Sequence, residues 1–292
     1  MALANRQTAA LGLDDVPSTS LPTGQRPGAA PRLSVVIPAY NESRRIATSL
    51  QAIRAYLAAQ PFGAEIVVVD DGSTDDTFAV IRAAAGDGAV PLRAFRYGPN
   101  GGKGWALKCG IAQARGDRIL FTDADLSTPI DEATRLLAQL EEGADIAIGS
   151  RKMAGARVLV HQPWIRERLG RGFTWLVRRL IADVSDATCG FKAFTRAAAH
   201  DIFGRVRIYD WSFDAEVLAL AHHLGYRVDE VPVAWEDRAG TKVHILRDAA
   251  RSFYGLLRIR ANVARGAYRV ANPPPRAGEV WESSVAVSTP AG

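Results

Sequence analysis

Short, largely apolar runs recur along the chain, and segments of helical character separate them. Strands are expected over residues 33–37, 65–69, 91–97, 119–121, 144–148 and 226–234. The expected helices lie over 41–59, capped by Asn41-Glu42-Ser43, and over 74–85, 103–114 and about 213–224. Continuous apolar strands alternating with helices predict a mainly parallel sheet covered on both faces, an α/β fold. Ligands bind such sheets beyond the carboxyl ends of the strands. The ends here carry Pro38-Ala39-Tyr40-Asn41-Glu42, Asp70-Asp71-Gly72-Ser73 and Asp123-Ala124-Asp125, all expected on one rim.

The 119–121 run matters most for chemistry, because it leads into two carboxylates one residue apart, with Pro129 closing the segment. Side chains alternate along a strand, so Asp123 and Asp125 are expected to project from one face and to repel unless a cation lies between. A hard ion such as Mg²⁺ or Mn²⁺ takes oxygen ligands and keeps positions open for water or phosphate. A solvated acidic turn is the other reading of a lone Asp-x-Asp.

The 292 residues suffice for one large core, and the flanks differ in character from the middle. Residues 1–31 and 272–292 lack periodicity and read as a disordered leader and tail around a domain at 32–271. Two cysteines outside any metal-type spacing, and the absence of an apolar leader run, predict a cytoplasmic protein. No apolar stretch is long enough to predict a membrane span. The net charge of +5 permits anionic partners. Nucleic acid is not expected among them, since no aromatic-basic interleaving accompanies the charge.

That charge concentrates in two basic amphipathic helices expected at 164–181 and 244–269. The first spaces Phe173, Leu176, Val177, Leu180 and Ile181 helically, away from Arg166, Arg168, Arg171 and Arg178. The second sets Arg247, Arg251, Arg258 and Arg265 apart from Leu246, Ala250, Phe253 and Leu257. Either the apolar stripes pack on the sheet or they meet an anionic membrane surface.

Familiar phosphate motifs do not fit. Gly98-Pro99-Asn100-Gly101-Gly102-Lys103-Gly104 is one residue short of a P-loop and lacks its Ser/Thr, and no dinucleotide fingerprint opens the first helix. A nucleotide would be held otherwise, with Asp70 accepting from a base or ribose and Tyr40 stacking.

The ordered series Val36-Ile37-Pro38-Ala39-Tyr40-Asn41-Glu42, Val69-Asp70-Asp71-Gly72-Ser73, Asn100-Gly101-Gly102-Lys103-Gly104, Asp123-Ala124-Asp125, Gly149-Ser150-Arg151, Cys189-Gly190-Phe191-Lys192 and Phe213-Asp214-Ala215-Glu216 resembles the family 2 inverting glycosyltransferases, in particular the polyprenyl-phosphate (dolichyl-phosphate) sugar synthases. The resemblance implies a single GT-A domain. Within it Pro38, Ala39, Tyr40, Glu42, Asp70 and Lys103 would cradle a nucleotide-sugar donor, UDP-glucose before GDP-mannose. Asp123 and Asp125 would hold Mg²⁺ or Mn²⁺. Ser127 follows where mannosyl synthases have Gln, which points to the glucosyl branch. Arg151 would meet a polyprenyl-phosphate acceptor, aided by Arg238 and Lys242 on a loop. Asp214 would be the base if the acceptor were a hydroxyl and would orient the sugar or Arg151 if it were a phosphate; an N-cap for the helix beginning there is a further reading, compatible with either. Members of the family often carry membrane spans; none is expected in this sequence, so it would dock peripherally on the cytoplasmic membrane face. Two competitors remain: a haloacid-dehalogenase-type phosphatase, whose Asp-x-Asp normally opens its fold, and a non-catalytic nucleotide-sugar sensor.

Overall fold

A computed structural model describes residues 30–85, 88, 90–160, 164–181, 183–210, 212–236, 245–272 and 279–282. In chain order it contains β1 (Leu33–Ala39), α1 (Ile46–Ala58), β2 (Ala64–Asp71), α2 (Thr77–Ala85), β3 (Leu92–Tyr97), α3 (Lys103–Gln113) and β4 (Arg118–Phe121). There follow α4 (Ala133–Glu141), β5 (Ile146–Ser150), β6 (Arg157–Val160), α5 (Trp164–Leu180), β7 (Lys192–Thr195) and α6 (Arg196–Arg205). The last elements are α7 (Phe213–Leu224), β8 (Val228–Pro232), β9 (Ala234–Glu236), α8 (Ile245–Ala264) and β10 (Glu279–Glu282).

The central sheet runs β10-β3-β2-β1-β4-β7-β5-β8, and β6 pairs β9 separately. Strands β3, β2, β1 and β4 are mutually parallel, as continuous burial on both faces requires. Strand β7 enters antiparallel between β4 and β5, and β10 pairs antiparallel with β3 at the edge. The sheet is therefore mixed and mainly parallel.

Alternation along the strands sorts the core into two layers. Val36, Val67, Val69, Ile119, Phe121, Ile148 and Phe194 face α3, α6 and α7, with α5 and α8 packed outside them. Val35, Ile37, Ile66, Val68, Leu120 and Ala193 face α1, α2 and α4. Phe121 stacks on Phe194 at 5.9 Å between centroids, and Phe203 closes edge-on against both.

Several expectations need correction. Strand β1 does not stop at Ile37 but runs on through Pro38 to Ala39, beside Asp70 of β2. Asn41-Glu42-Ser43 do not cap α1; it starts at Ile46 without a side-chain cap, because Asn41 is engaged elsewhere. Strand β4 ends at Phe121, so Asp123 and Asp125 stand in a turn rather than on a strand face, with Leu126 at φ +50°. Residues 226–234 form no single strand: Val233 lies at a break, after which β9 joins β6. Within the expected tail, Glu279–Glu282 adds an edge strand, consistent with the β propensity of Val280 and Trp281. Among the described residues, no helix is long and apolar enough to cross a membrane.

Candidate functional site

The loops at the carboxyl ends of β1 and β2 are tied to each other. The backbone N–H of Asn41 donates to Ser73 Oγ at 2.9 Å, that of Glu42 to Thr77 Oγ1 at 2.7 Å, and that of Thr74 to Asn41 Oδ1 at 2.8 Å. Asn41 accommodates this at φ +55°, a region its short polar side chain tolerates. Pro38 and Ala39 lie in β1, and Tyr40 extends past its end, 40% exposed and so outside the core. Glu42 pairs with Arg45, whose guanidinium also lies 4.0 Å from Asp125.

Asp70 is set back from the rim. It is fully buried; Oδ1 accepts from Ser73 N–H at 3.0 Å and Oδ2 lies 3.2 Å from Arg96 Nε. It braces the loop after β2 from beneath.

Asp71, which the sequence reading passed over, organises the glycine loop. Its Oδ1 accepts from Gly101 N–H at 2.7 Å, and its Oδ2 accepts from Gly102 N–H and Asn100 Nδ2, both at 2.9 Å. Burial still raises its pKa above the ordinary carboxylate value, against those donors. Glycine is needed here for space: Gly102 sits at φ +93°, and a Cβ on Gly104 would come within 2.7 Å of Phe213 Cβ. The loop thus launches α3 with Lys103 as its first residue, at the rim.

Lys103 forms an ion pair with Asp123 and lies 5.6 Å over the Phe213 ring. Burial opposes its charge, but Asp123, backed by Asp214 and Asp125, raises its pKa above the usual lysine value. Asp125 turns Oδ1 inward to Ser127, whose N–H and Oγ both approach at 3.0 Å. Ser127 in turn accepts from Glu236 N–H at 2.9 Å, so it orients Asp125 and fastens the turn to β9. Gly190 packs directly on the Asp123 carboxylate, where any Cβ would collide with Oδ2.

Two carboxylates on a solvent-reachable turn suit a hard divalent cation. No third acidic, His or Cys side chain joins them among the described residues. The donor set fits an ion that water or a phosphate would complete, and Asp123 and Asp125 are the carboxylates that would hold it.

Arg151 is more committed than its expected role suggests. Its Nε and Nη2 grip Asp186 at 2.7 and 2.8 Å, Nη2 also donates to Thr188 Oγ1 at 3.0 Å, and the guanidinium lies 5.3 Å from the Trp235 ring centroid. Burial would raise the Asp186 pKa, yet Arg151 lowers it to about 2. Asp214 opens α7 and pairs with Lys192, a wholly buried lysine that also donates to Cys189 O at 2.6 Å and sits 5.3 Å over Phe121. Asp186 and Lys192 were not singled out from sequence. A lysine inside Phe191-Lys192-Ala193-Phe194 was the available signal, since lysine is almost never fully buried without a partner. Arg238 and Lys242 lie outside the described residues.

The structure thus brings Lys103, Asp123, Asp125, Asp214 and Arg45 to one end of the sheet, with Glu42 and Tyr40 alongside. This is a GT-A architecture, and residues 34–203 match the model of glycosyl transferase family 2. The chain belongs to that family and is a glycosyltransferase. It is 34% identical over 253 residues to the dolichyl-phosphate beta-glucosyltransferase of Drosophila melanogaster, covering 82% of this chain and 78% of that one. Against the enzyme of the same name from Saccharomyces cerevisiae it is 33% identical over 256 residues, covering 81% and 76%. Glucosyl-3-phosphoglycerate synthase from Mycobacterium tuberculosis, solved with Mn²⁺, UDP-glucose and phosphoglyceric acid, shares the fold at TM-score 0.56 and 19% identity, over 81% of this chain and 86% of that one.

Proposed function

We propose that this enzyme transfers glucose from UDP-glucose to a polyprenyl phosphate at a membrane surface, with inversion. The observation that carries it is the convergence of Lys103, Asp123 and Asp125 on one rim, in a chain one third identical to dolichyl-phosphate glucosyltransferases. A divalent Mg²⁺ or Mn²⁺ held by Asp123 and Asp125 would supply Lewis acidity to the departing nucleoside diphosphate. Lys103 adds a fixed positive charge at the same place, and Arg45 brings another toward Asp125. Tyr40 offers a ring to the base from the exposed end of β1, and the linked loops after β1 and β2 hold it there.

A lipid phosphate is already anionic, so the acceptor needs positioning more than deprotonation. The Asp214 geometry agrees: one carboxylate oxygen is given to Lys192, and the group serves as an anchor rather than a base. Arg151, locked on Asp186, is rigid and presents its cation without the cost of ordering a free side chain. A hydroxyl acceptor with Asp214 as base is the second reading, because Asp214 does stand at the rim.

The test is transfer of labelled glucose from UDP-glucose, with Mg²⁺ or Mn²⁺, to detergent-dispersed polyprenyl phosphate. Label extracted into the organic phase only with metal and lipid supports the proposal. UDP release without lipid labelling favours the hydroxyl acceptor. No turnover with UDP-glucose but turnover with GDP-mannose would correct the donor.

A further inference from the structure

Helix α8 is apolar on two flanks, and among the described residues the fold covers only one. Its inner flank, Gly255, Leu256 and Ile259, is buried, and Gly255 fits so closely that a Cβ would collide with Ser212 Oγ. Phe253, Tyr254 and Leu257 point the other way, about half exposed or more. Phe253 and Leu257 stand one turn apart, with Tyr254 beside them. Arg258, Arg260 and Arg265 are exposed around this stripe. Phe253 and Leu257, the described members of the stripe read from the sequence, thus face outward. Single exposed apolar residues are ordinary, but three on one helical face call for a partner.

Helix α5 packs against α8 and repeats the arrangement. Val177 is buried, with Leu176, Leu180 and Ile181 packed beside it, so the described members of that helix's stripe face inward. Trp175 is 64% exposed, on a face where Arg168 and Arg179 are exposed as well. Aromatic rings bordered by arginines match the interface of an anionic bilayer: the rings suit the headgroup–acyl boundary, and the arginines meet lipid phosphates while their stems stay apolar.

We propose that the outward faces of α5 and α8, through Trp175, Phe253, Tyr254 and Leu257 and their flanking arginines, form a docking surface for an anionic phospholipid bilayer. The location deepens the lipid-acceptor reading without depending on it. On its inner side α8 meets Ser212, two residues before Asp214, and α5 carries Thr174, whose Oγ1 lies 2.5 Å from Lys152 Nζ beside Arg151. One helix thickness, about 10 Å, then separates the bilayer face from the acceptor end of the site.

Flotation of the full chain with vesicles, in the absence of donor, tests this. Wild-type protein should float with phosphatidylcholine–phosphatidylglycerol vesicles and much less with phosphatidylcholine alone. Phe253→Ser with Leu257→Ser should lower partitioning about tenfold or more, and Arg258→Glu with Arg265→Glu should do so in a salt-dependent way. All four sites are exposed, so melting temperatures should hold. Transfer to a short, water-soluble polyprenyl phosphate should be unchanged in both variants. Wild-type protein that stays unbound, or variants that float as well as wild type, would overturn the proposal. So would a dimer in solution that these substitutions convert to monomer. Vesicle binding without any lipid-phosphate transfer would leave the docking surface standing and refute the acceptor instead.

Discussion

Replacing Lys192 with Met separates the charge of this side chain from its packing. Methionine can keep the apolar stem against Phe121 while removing the ammonium from Asp214 and Cys189 O. Asp214 is only 6% exposed, so its carboxylate would stay buried without its partner. Breaking a buried pair from one side costs about 3–5 kcal/mol. Removing both charges together should cost much less, because no orphan ion remains. The assay is urea denaturation of wild type, Lys192→Met, Asp214→Asn and the double variant, read as a double-mutant cycle. A coupling of about 2 kcal/mol or more is expected, with the double variant more stable than Lys192→Met alone. A Lys192→Met loss below about 1 kcal/mol, or additive effects, would refute the view that Lys192 holds Asp214 in place.

Other expectations follow from neighbouring contacts. Gly190→Ala should keep the fold but displace the Asp123 carboxylate, cutting metal-dependent transfer by about tenfold or more, with excess Mn²⁺ recovering part of it; unchanged activity and metal dependence would count against the placement of Asp123. Asp186 has its pKa lowered from 3.8 to about 2, so its contribution, about 2 kcal/mol, is present above the unfolded value and lost as pH falls through the folded one. In Asp186→Asn, chemical denaturation should show a lower stability near neutrality and a shallower decline between about pH 4 and pH 2 than in wild type.

Much of the parallel half of the sheet was legible because strands buried on both faces are largely apolar. The 33–37, 65–69 and 119–121 runs correspond to β1, β2 and β4 within two residues at each end. The rim was legible for the same reason: polar groups that interrupt such runs collect where the strands end. The short antiparallel insertion was hidden. Strand β7 spans four residues and passes straight into α6, with Thr195 both closing the strand and capping the helix through Oγ, 3.3 Å from Ala198 N. No turn residue marks that boundary. Asn41 misled because an N-cap residue and a loop tie look alike in sequence, and only the position of Thr74 distinguishes them. Partnerships such as Arg151 with Asp186, 35 residues apart, arise from the topology and leave no local pattern. The outward stripe of α8 was ambiguous because a wheel shows that a helix has an apolar side without saying which side meets the protein.

The antiparallel entry of β7 also makes the site a matter of counting. Phe121 is paired with Lys192, one residue from Phe191 and Ala193, which face the opposite layer. A slip of one position along β4 would carry the lysine through the sheet, away from Asp214, and bring an apolar side chain to the carboxylate. Deleting one residue from the loop before β7 would press for that slip while leaving every named functional residue in the chain. Spacing between the two strands is therefore as much a part of the candidate site as the side chains themselves.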